Sequence, residues 1–215
     1  TLSAGTLIAQ VIALVSTPIL SRYYFPEDFG LLGSILTLTA ILATILSLKY
    51  EMAIVLTKTK NETNHLISIS LLIMGALLAV FGLIGFNYPQ LLEYVGLSNS
   101  SYIIIVFIII ISFCIGFQNI LYQWHTKNEG FLVMSKHRVI QKFITTLFQL
   151  LFILFLSNRL GLIWGYSIGL IISLIYLSLP YKRDLFNLKT QKNKLKLYAK
   201  KYYRFPLFTA PQNLL

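Results

Sequence analysis

Long uncharged apolar runs alternate with short polar stretches along the whole chain. A hydrocarbon layer of about 30 Å takes about 20 residues of α-helix at 1.5 Å per residue. Six segments reach that length, residues 2–21, 29–56, 66–86, 102–124, 131–156 and 160–179, and each is predicted to be a transmembrane helix. The connections carry ordinary turn chemistry. Pro26 suits the first turn of the second helix, where its missing N–H costs nothing, and Glu27 and Asp28 then lie at the positive end of the helix dipole. Asn87-Tyr88-Pro89 ends the third helix, and Asn158 and Gly161 bracket a short hairpin between the fifth and sixth.

Polar residues inside these helices recur at helical spacing. At 100° per residue, Ser3, Thr6, Gln10, Thr17 and Ser21 share a face of the first helix, and Ser34, Thr37, Thr44 and Glu51 share a broader face of the second. The fourth carries Ser112, Gly116, Asn119 and Gln123, and the fifth carries Arg138, Lys142, Thr145 and Gln149. A polar group left unsatisfied in hydrocarbon costs several kcal/mol, so these stripes face protein or water. Hydrogen bonding between helices would account for serines and threonines alone. Glutamines, a glutamate and two cations favour a hydrated cavity, because ionisable groups inside a membrane usually mark a pathway. Gly161, Gly165, Gly169 and Ser173 form a fourth-residue stripe of small residues on the sixth helix, which reads as close helix packing.

Charge sets the orientation. The chain has 18 Lys+Arg against 7 Asp+Glu, a net charge of +11. Lys49, Lys58 and Lys60 follow the second helix; Lys127, Lys136, Arg138 and Lys142 follow the fourth; a dense basic run, Lys182–Arg204, follows the sixth. The opposite loops hold only Arg22 and Arg159. Cationic loops remain cytoplasmic, so the N-terminus is expected in the cytoplasm. Cations gathered at one membrane face point away from nucleic acid as a partner. The run Lys182–Arg204 is amphipathic, with Leu185, Leu188, Leu195 and Tyr198 expected to bury one face at the membrane surface. Three units follow: a six-helix bundle over 1–181, a basic linker over 182–205, and the start of a seventh helix over 206–215.

Catalytic chemistry is poorly supplied. Cys114 is a lone cysteine with no metal-ligand spacing around it, and the acids Glu27, Asp28, Glu51, Glu62, Glu93, Glu129 and Asp184 are scattered. No Gly-rich phosphate loop or nucleophile elbow is present. No cofactor, metal or enzymatic reaction is expected. Arg138 and Lys142 are the foremost candidates for substrate contact: four residues apart, they stack like charges on one face, which suits an anion between them. Arg22 and Lys49 complete the candidate cations, each with an anchoring role as its alternative. Gln10, Thr17, Thr44, Glu51, Asn119, Gln123, Thr145 and Gln149 are the candidate cavity-lining groups. His65, His125 and His137 lie at helix ends and read as interfacial.

Several stretches carry a family resemblance. They are Ser3-Ala4-Gly5-Thr6 with Gln10, Pro18 through Arg22, Pro26-Glu27-Asp28-Phe29-Gly30 and Leu48-Lys49-Tyr50-Glu51-Met52-Ala53-Ile54. Gly161-Leu162-Ile163-Trp164-Gly165 and Phe205-Pro206 with Pro211 and Leu214-Leu215 follow in the same order. In this the chain resembles the polysaccharide-exporter family that includes O-antigen flippases, within the superfamily shared with multidrug exporters and the lipid II flippase. That family more often has Arg where Lys49 stands, which keeps the charge and loses the bidentate fork. The resemblance implies an all-α membrane protein whose six helices form the N-terminal lobe of a two-lobe exporter of twelve or more helices. It implies alternating access and a polyprenyl-diphosphate-linked oligosaccharide as cargo, moved across the bacterial cytoplasmic membrane for lipopolysaccharide or other surface polysaccharide. Membrane lipids and polysaccharide polymerase or assembly proteins are the partners it implies. Two rivals are a cation-coupled multidrug antiporter on the same fold, for which Glu51 is the one inward carboxylate, and a membrane-embedded polymerase or ligase.

Overall fold

The structure, a computed structural model, describes residues 2–46, 48–90, 102–155, 160–181 and 192–202. Among them there is no strand. The elements are α1 (Leu2–Leu20), α2 (Pro26–Leu46), a 3-10 helix (Tyr50–Leu56), α3 (Lys60–Asn87), α4 (Tyr102–Lys127), α5 (Phe131–Phe155), α6 (Gly161–Ser178) running into a 3-10 turn (Leu179–Tyr181), and α7 (Lys192–Lys201). Five helices, α1, α2, α3, α4 and α6, are long and apolar enough to cross a membrane. The protein is an all-α, multi-pass membrane protein. α5 is 25 residues long but carries Lys136, Arg138 and Lys142, and it is not among those five.

Local signals explain the helix starts. Pro26 is the first residue of α2, and Asp28 Oδ2 accepts a hydrogen bond from the Phe25 backbone N–H at 3.0 Å, closing the first turn. α3 begins six residues earlier than the apolar run indicates. Thr59 is its N-cap and accepts from the Glu62 N–H at 3.3 Å, while the Glu62 carboxylate accepts from the Lys58 N–H at 3.1 Å. This Thr-x-x-Glu arrangement serves otherwise unsatisfied amides at the helix start. Between α4 and α5 the chain turns through Glu129, at φ 56°, and Gly130, where a Cβ would stand 2.5 Å from His125 Nδ1.

The second predicted helix does not run on to Leu56. α2 stops at Leu46, and Leu48 and Lys49 take the left-handed conformation at φ 45° and 59°. The chain then re-enters the protein as the 3-10 helix, with Tyr50, Glu51, Ala53 and Ile54 buried against α3 and α4. Two successive left-handed residues break the i→i−4 ladder, and hydrophobicity alone carries no trace of that.

α4 is the hub. It packs on α2, α3, α6 and the 3-10 helix, and half of its membrane window is buried. Ile105, Ile108, Ile111, Ile120 and Leu121 supply its share of the core. α1 is peripheral: it packs chiefly on α5, and only 17% of its window is buried. Leu7, Val11, Leu14 and Val15 of α1 are exposed, as are Leu72, Leu83 and Phe113 elsewhere, which suits side chains that meet lipid. At the α1–α2 turn, Leu20, Tyr24 and Leu162 form a second small cluster.

α5 and α6 make the most extensive contact. The small residues of α6 permit it. A Cβ on Gly165 would meet the Gln149 backbone N at 2.6 Å, and one on Gly169 would meet Thr145 Cα at 2.8 Å. α7 docks on α3. Lys201 pairs with the buried Glu62 at 2.6 Å, Tyr202 OH donates to the same carboxylate at 2.9 Å, and Tyr198 stacks on His65 with ring centroids 5.4 Å apart. Leu195 and Tyr198 thus bury against protein. Leu185, Leu188 and the start of a seventh helix over 206–215 lie outside the described residues.

Candidate functional site

The polar groups that converge belong to α1, α4 and α5, at the end of the bundle where α1 and α5 begin and α4 finishes. Arg138 on α5 donates from its guanidinium to Thr6 Oγ1 on α1 at 2.5 Å. Its guanidinium carbon stands 5.8 Å from the centroid of the Tyr122 ring on α4, within cation–π range. Tyr122 OH shares a hydrogen bond of 2.9 Å with His137 Nδ1. Gln118, one turn back on α4, lies beside the Tyr122 hydroxyl. Three helices therefore hold one charged group, with its planar fork partly occupied and its ring contact fixed.

The network is not saturated. His137 Nε2 and Gln118 Oε1 are buried without a hydrogen-bond partner among the described residues. Lys142, one turn further along α5, is half-buried, as is Arg138. Among the described residues neither cation has a carboxylate within 4 Å; the ion pair there is Lys201–Glu62. Two neighbouring cations without counter-charge inside a membrane bundle are costly when empty and are relieved by an anion. Charge-assisted hydrogen bonds to phosphate oxygens are the chemistry such a pair offers.

The other expected site residues divide. Gln10 on α1 is exposed one turn after Thr6, and Asn119 and Gln123 on α4 are half-buried one turn apart. Thr17 and Thr44 return their hydroxyls to their own helices, donating to the Ala13 and Ala40 carbonyls at 2.7 and 2.9 Å. Thr145 and Gln149 are buried in the α5–α6 seam, not along an open face. Gln149 is committed there: its Nε2 donates to the Leu162 carbonyl at 3.1 Å, and its own carbonyl accepts from Tyr24 OH at 2.8 Å. The α6 glycines admit these side chains at close range, and that draws the deeper half of the α5 stripe into protein.

Arg22 is exposed in the α1–α2 turn. Sixteen residues separate it from Thr6, roughly 24 Å along α1 at 1.5 Å per residue, so it does not join Arg138 in one site. Lys49 is half-buried at the opposite end of α2 from Arg22, as the N-cap of the 3-10 helix. Glu51 follows in that 3-10 helix, 2% exposed, with Oε2 lacking any partner among the described residues.

The three histidines are buried in protein. His125 bonds the Leu177 carbonyl at 2.9 Å, His137 bonds Tyr122, and His65 stacks on Tyr198. Tyr122, His137 and Gln118 are the residues that the sequence pattern did not single out for the site. The i, i+4 spacing of Gln118 and Tyr122 on α4 was the available signal.

The model of a family described as polysaccharide biosynthesis protein matches residues 1–209. No curated protein and no solved structure matches the chain.

Proposed function

Because the chain belongs to the polysaccharide biosynthesis protein family, we propose that it is part of a flippase for polyprenyl-diphosphate-linked oligosaccharide. In this reading the six helices α1–α6 all cross the bacterial cytoplasmic membrane, N-terminus inside, and form one lobe of a two-lobe transporter working by alternating access. The carrying observation is the pair Arg138 and Lys142: half-buried, adjacent, and without a carboxylate partner among the described residues.

A diphosphate does not cross hydrocarbon unaided, and the electrostatic cost falls when fixed cations replace its water. Arg138, held by Thr6 and Tyr122, offers its remaining N–H groups to the diphosphate, and Lys142 offers a mobile ammonium a turn away. Gln10, Asn119 and Gln123 supply donors and acceptors for sugar hydroxyls, while the prenyl chain stays in lipid. No bond is made or broken in the cargo, so the protein acts as a transporter and not as an enzyme. Polymerase or assembly proteins would take the delivered units.

The test is surface polysaccharide in cells whose full-length protein carries Arg138→Gln with Lys142→Gln. The expected result is loss of polysaccharide at normal membrane abundance; unchanged polysaccharide overturns the assignment. A second reading, a cation-coupled multidrug antiporter, draws on the buried, unpartnered Glu51 carboxylate. Sodium- or proton-dependent dye efflux, abolished by Glu51→Gln, would favour it.

A further inference from the structure

Away from α5, a second group of cations surrounds a concave site where α3 begins and α4 and α6 end. The cavity has a volume of about 410 Å³, and Lys58, Lys60, Asn64, Trp124, Lys127 and Asn128 are among its walls. That volume lies within the range of about 300–1,000 Å³ usual for small-molecule sites. Among the described residues no carboxylate lines it. The nearby acid, Glu62, is engaged by the Lys201 ammonium, the Tyr202 hydroxyl and the Lys58 backbone N–H. Among the described residues none of the three cavity lysines has a carboxylate within 4 Å.

The arrangement is built as well as charged. Lys127 Nζ donates to the hydroxyls of Thr57 and Thr63 at 2.6 Å each, and those hydroxyls bond each other at 2.7 Å. The ammonium is thus fixed, and among the described residues its third N–H has no partner. The N-terminus of α3 adds its dipole from the same side. Asn64 and Asn128 add amides able to meet phosphate oxygens. Trp124 packs edge-on against Tyr181 at 5.2 Å, and an aromatic pair at the ends of apolar helices marks the depth of lipid head groups. Basic pockets between helices at that depth recognise phosphate-bearing head groups.

We propose that this cavity binds the phosphate-bearing head group of an anionic membrane lipid. The site shares no residue with the Arg138–Lys142 pair, and the inference does not rest on the transport reading. The lipid's phosphate sits among Lys58, Lys60 and Lys127, with its acyl or prenyl chains leaving along the apolar helices. Occupancy pins the start of α3 to the end of α4.

The experiment is native mass spectrometry of the purified full-length protein titrated with phosphatidylglycerol, phosphatidylcholine, a polyprenyl diphosphate or sodium diphosphate. Phosphatidylglycerol is expected to bind well above phosphatidylcholine. Lys58→Gln with Lys60→Gln is expected to weaken it roughly 25-fold, at about fivefold per lysine near an anionic lipid. Both side chains are exposed, so the double variant keeps the fold. Lys136→Gln, on α5 outside the cavity, leaves binding unchanged. Polyprenyl diphosphate binding through the same lysines in preference to phosphatidylglycerol supports the head-group site and identifies the cargo lipid as its source. Equal binding of phosphatidylglycerol and phosphatidylcholine, an unaffected Lys58/Lys60 variant, or sodium diphosphate binding as tightly as either anionic lipid overturns the proposal.

Discussion

Gly169→Ala tests the seam that holds α5, and with it the cation pair, in place. A Cβ added at Gly169 would stand 2.8 Å from both Cα and N of Thr145 and closer still to its hydroxyl. Ordinary contact begins at 3.4 Å, so α6 would have to retreat from α5 by about 0.6 Å or more. The clashing atoms are backbone, and no rotamer change relieves them. Overpacking of this kind costs typically 1–3 kcal/mol, and the backbone contact places Gly169 at the upper end. Alanine's helix propensity offsets up to about 1 kcal/mol of that, leaving a net loss of about 2 kcal/mol, or roughly thirtyfold in the folding equilibrium. The controls are Gly33→Ala and Gly75→Ala, where a Cβ meets nothing within 4 Å and propensity alone gives a gain of roughly 0.5–1 kcal/mol. Equilibrium unfolding in mixed micelles, followed by circular dichroism, reads both signs. Thr145→Ala added to Gly169→Ala should leave most of the loss, because the Cα and N contacts remain. If Gly169→Ala were as stable as Gly75→Ala, the close α5–α6 packing described here would be wrong.

Other substitutions probe separate parts of the account. Glu51→Leu removes a buried carboxylate oxygen that has no partner among the described residues, so stability should change by less than about 1 kcal/mol or rise; a loss of about 3 kcal/mol, read by the same unfolding assay, would reveal a counter-charge. Tyr122→Phe strips His137 Nδ1 of its hydrogen bond and should cost about 1–3 kcal/mol, with an unchanged unfolding midpoint as the contrary result. Glu62→Gln should free α7, seen as faster hydrogen exchange across residues 192–202 with α3 unaffected. The hydrogen bond to Glu62 raises the Lys201 pKa above its ordinary value. From neutral pH upward the pair's contribution is therefore held up to the ordinary lysine pKa and fades as pH climbs through the raised one. α7 protection should be flat from neutral pH to mildly alkaline pH, and a fall near neutrality would contradict the pairing.

Hydrophobic length made the helices legible, because a bilayer imposes one requirement on all of them. Pro26 marked the start of α2 and the glycine stripe marked the tight face of α6, each through a local steric rule. The 3-10 re-entry at Tyr50–Leu56 was hidden, since its composition is as apolar as the helix before it and the break rests on two left-handed residues. The early start of α3 was written in Thr59 and Glu62, a capping signal that apolar periodicity overlooks. At the site, the α5 stripe was correct as a line of polar residues and silent about its two environments. Its first turns, with Arg138 and Lys142, remain half-open, while Thr145 and Gln149 disappear under Gly169 and Gly165. Which helix covers a stripe is a property of packing, not of spacing. Tyr122 and His137 joined the site for the same reason: they lie on α4 and α5, and only the crossing of those helices brings them together.

Transbilayer movement of cargo is the direct measure. The purified full-length protein, reconstituted in liposomes carrying a labelled polyprenyl-diphosphate oligosaccharide in the inner leaflet, should expose the label to an external enzyme or lectin over time. Arg138→Gln with Lys142→Gln should reduce that exposure to the protein-free rate. Exposure at the protein-free rate with the unaltered protein, or at an undiminished rate with both cations removed, would contradict the account.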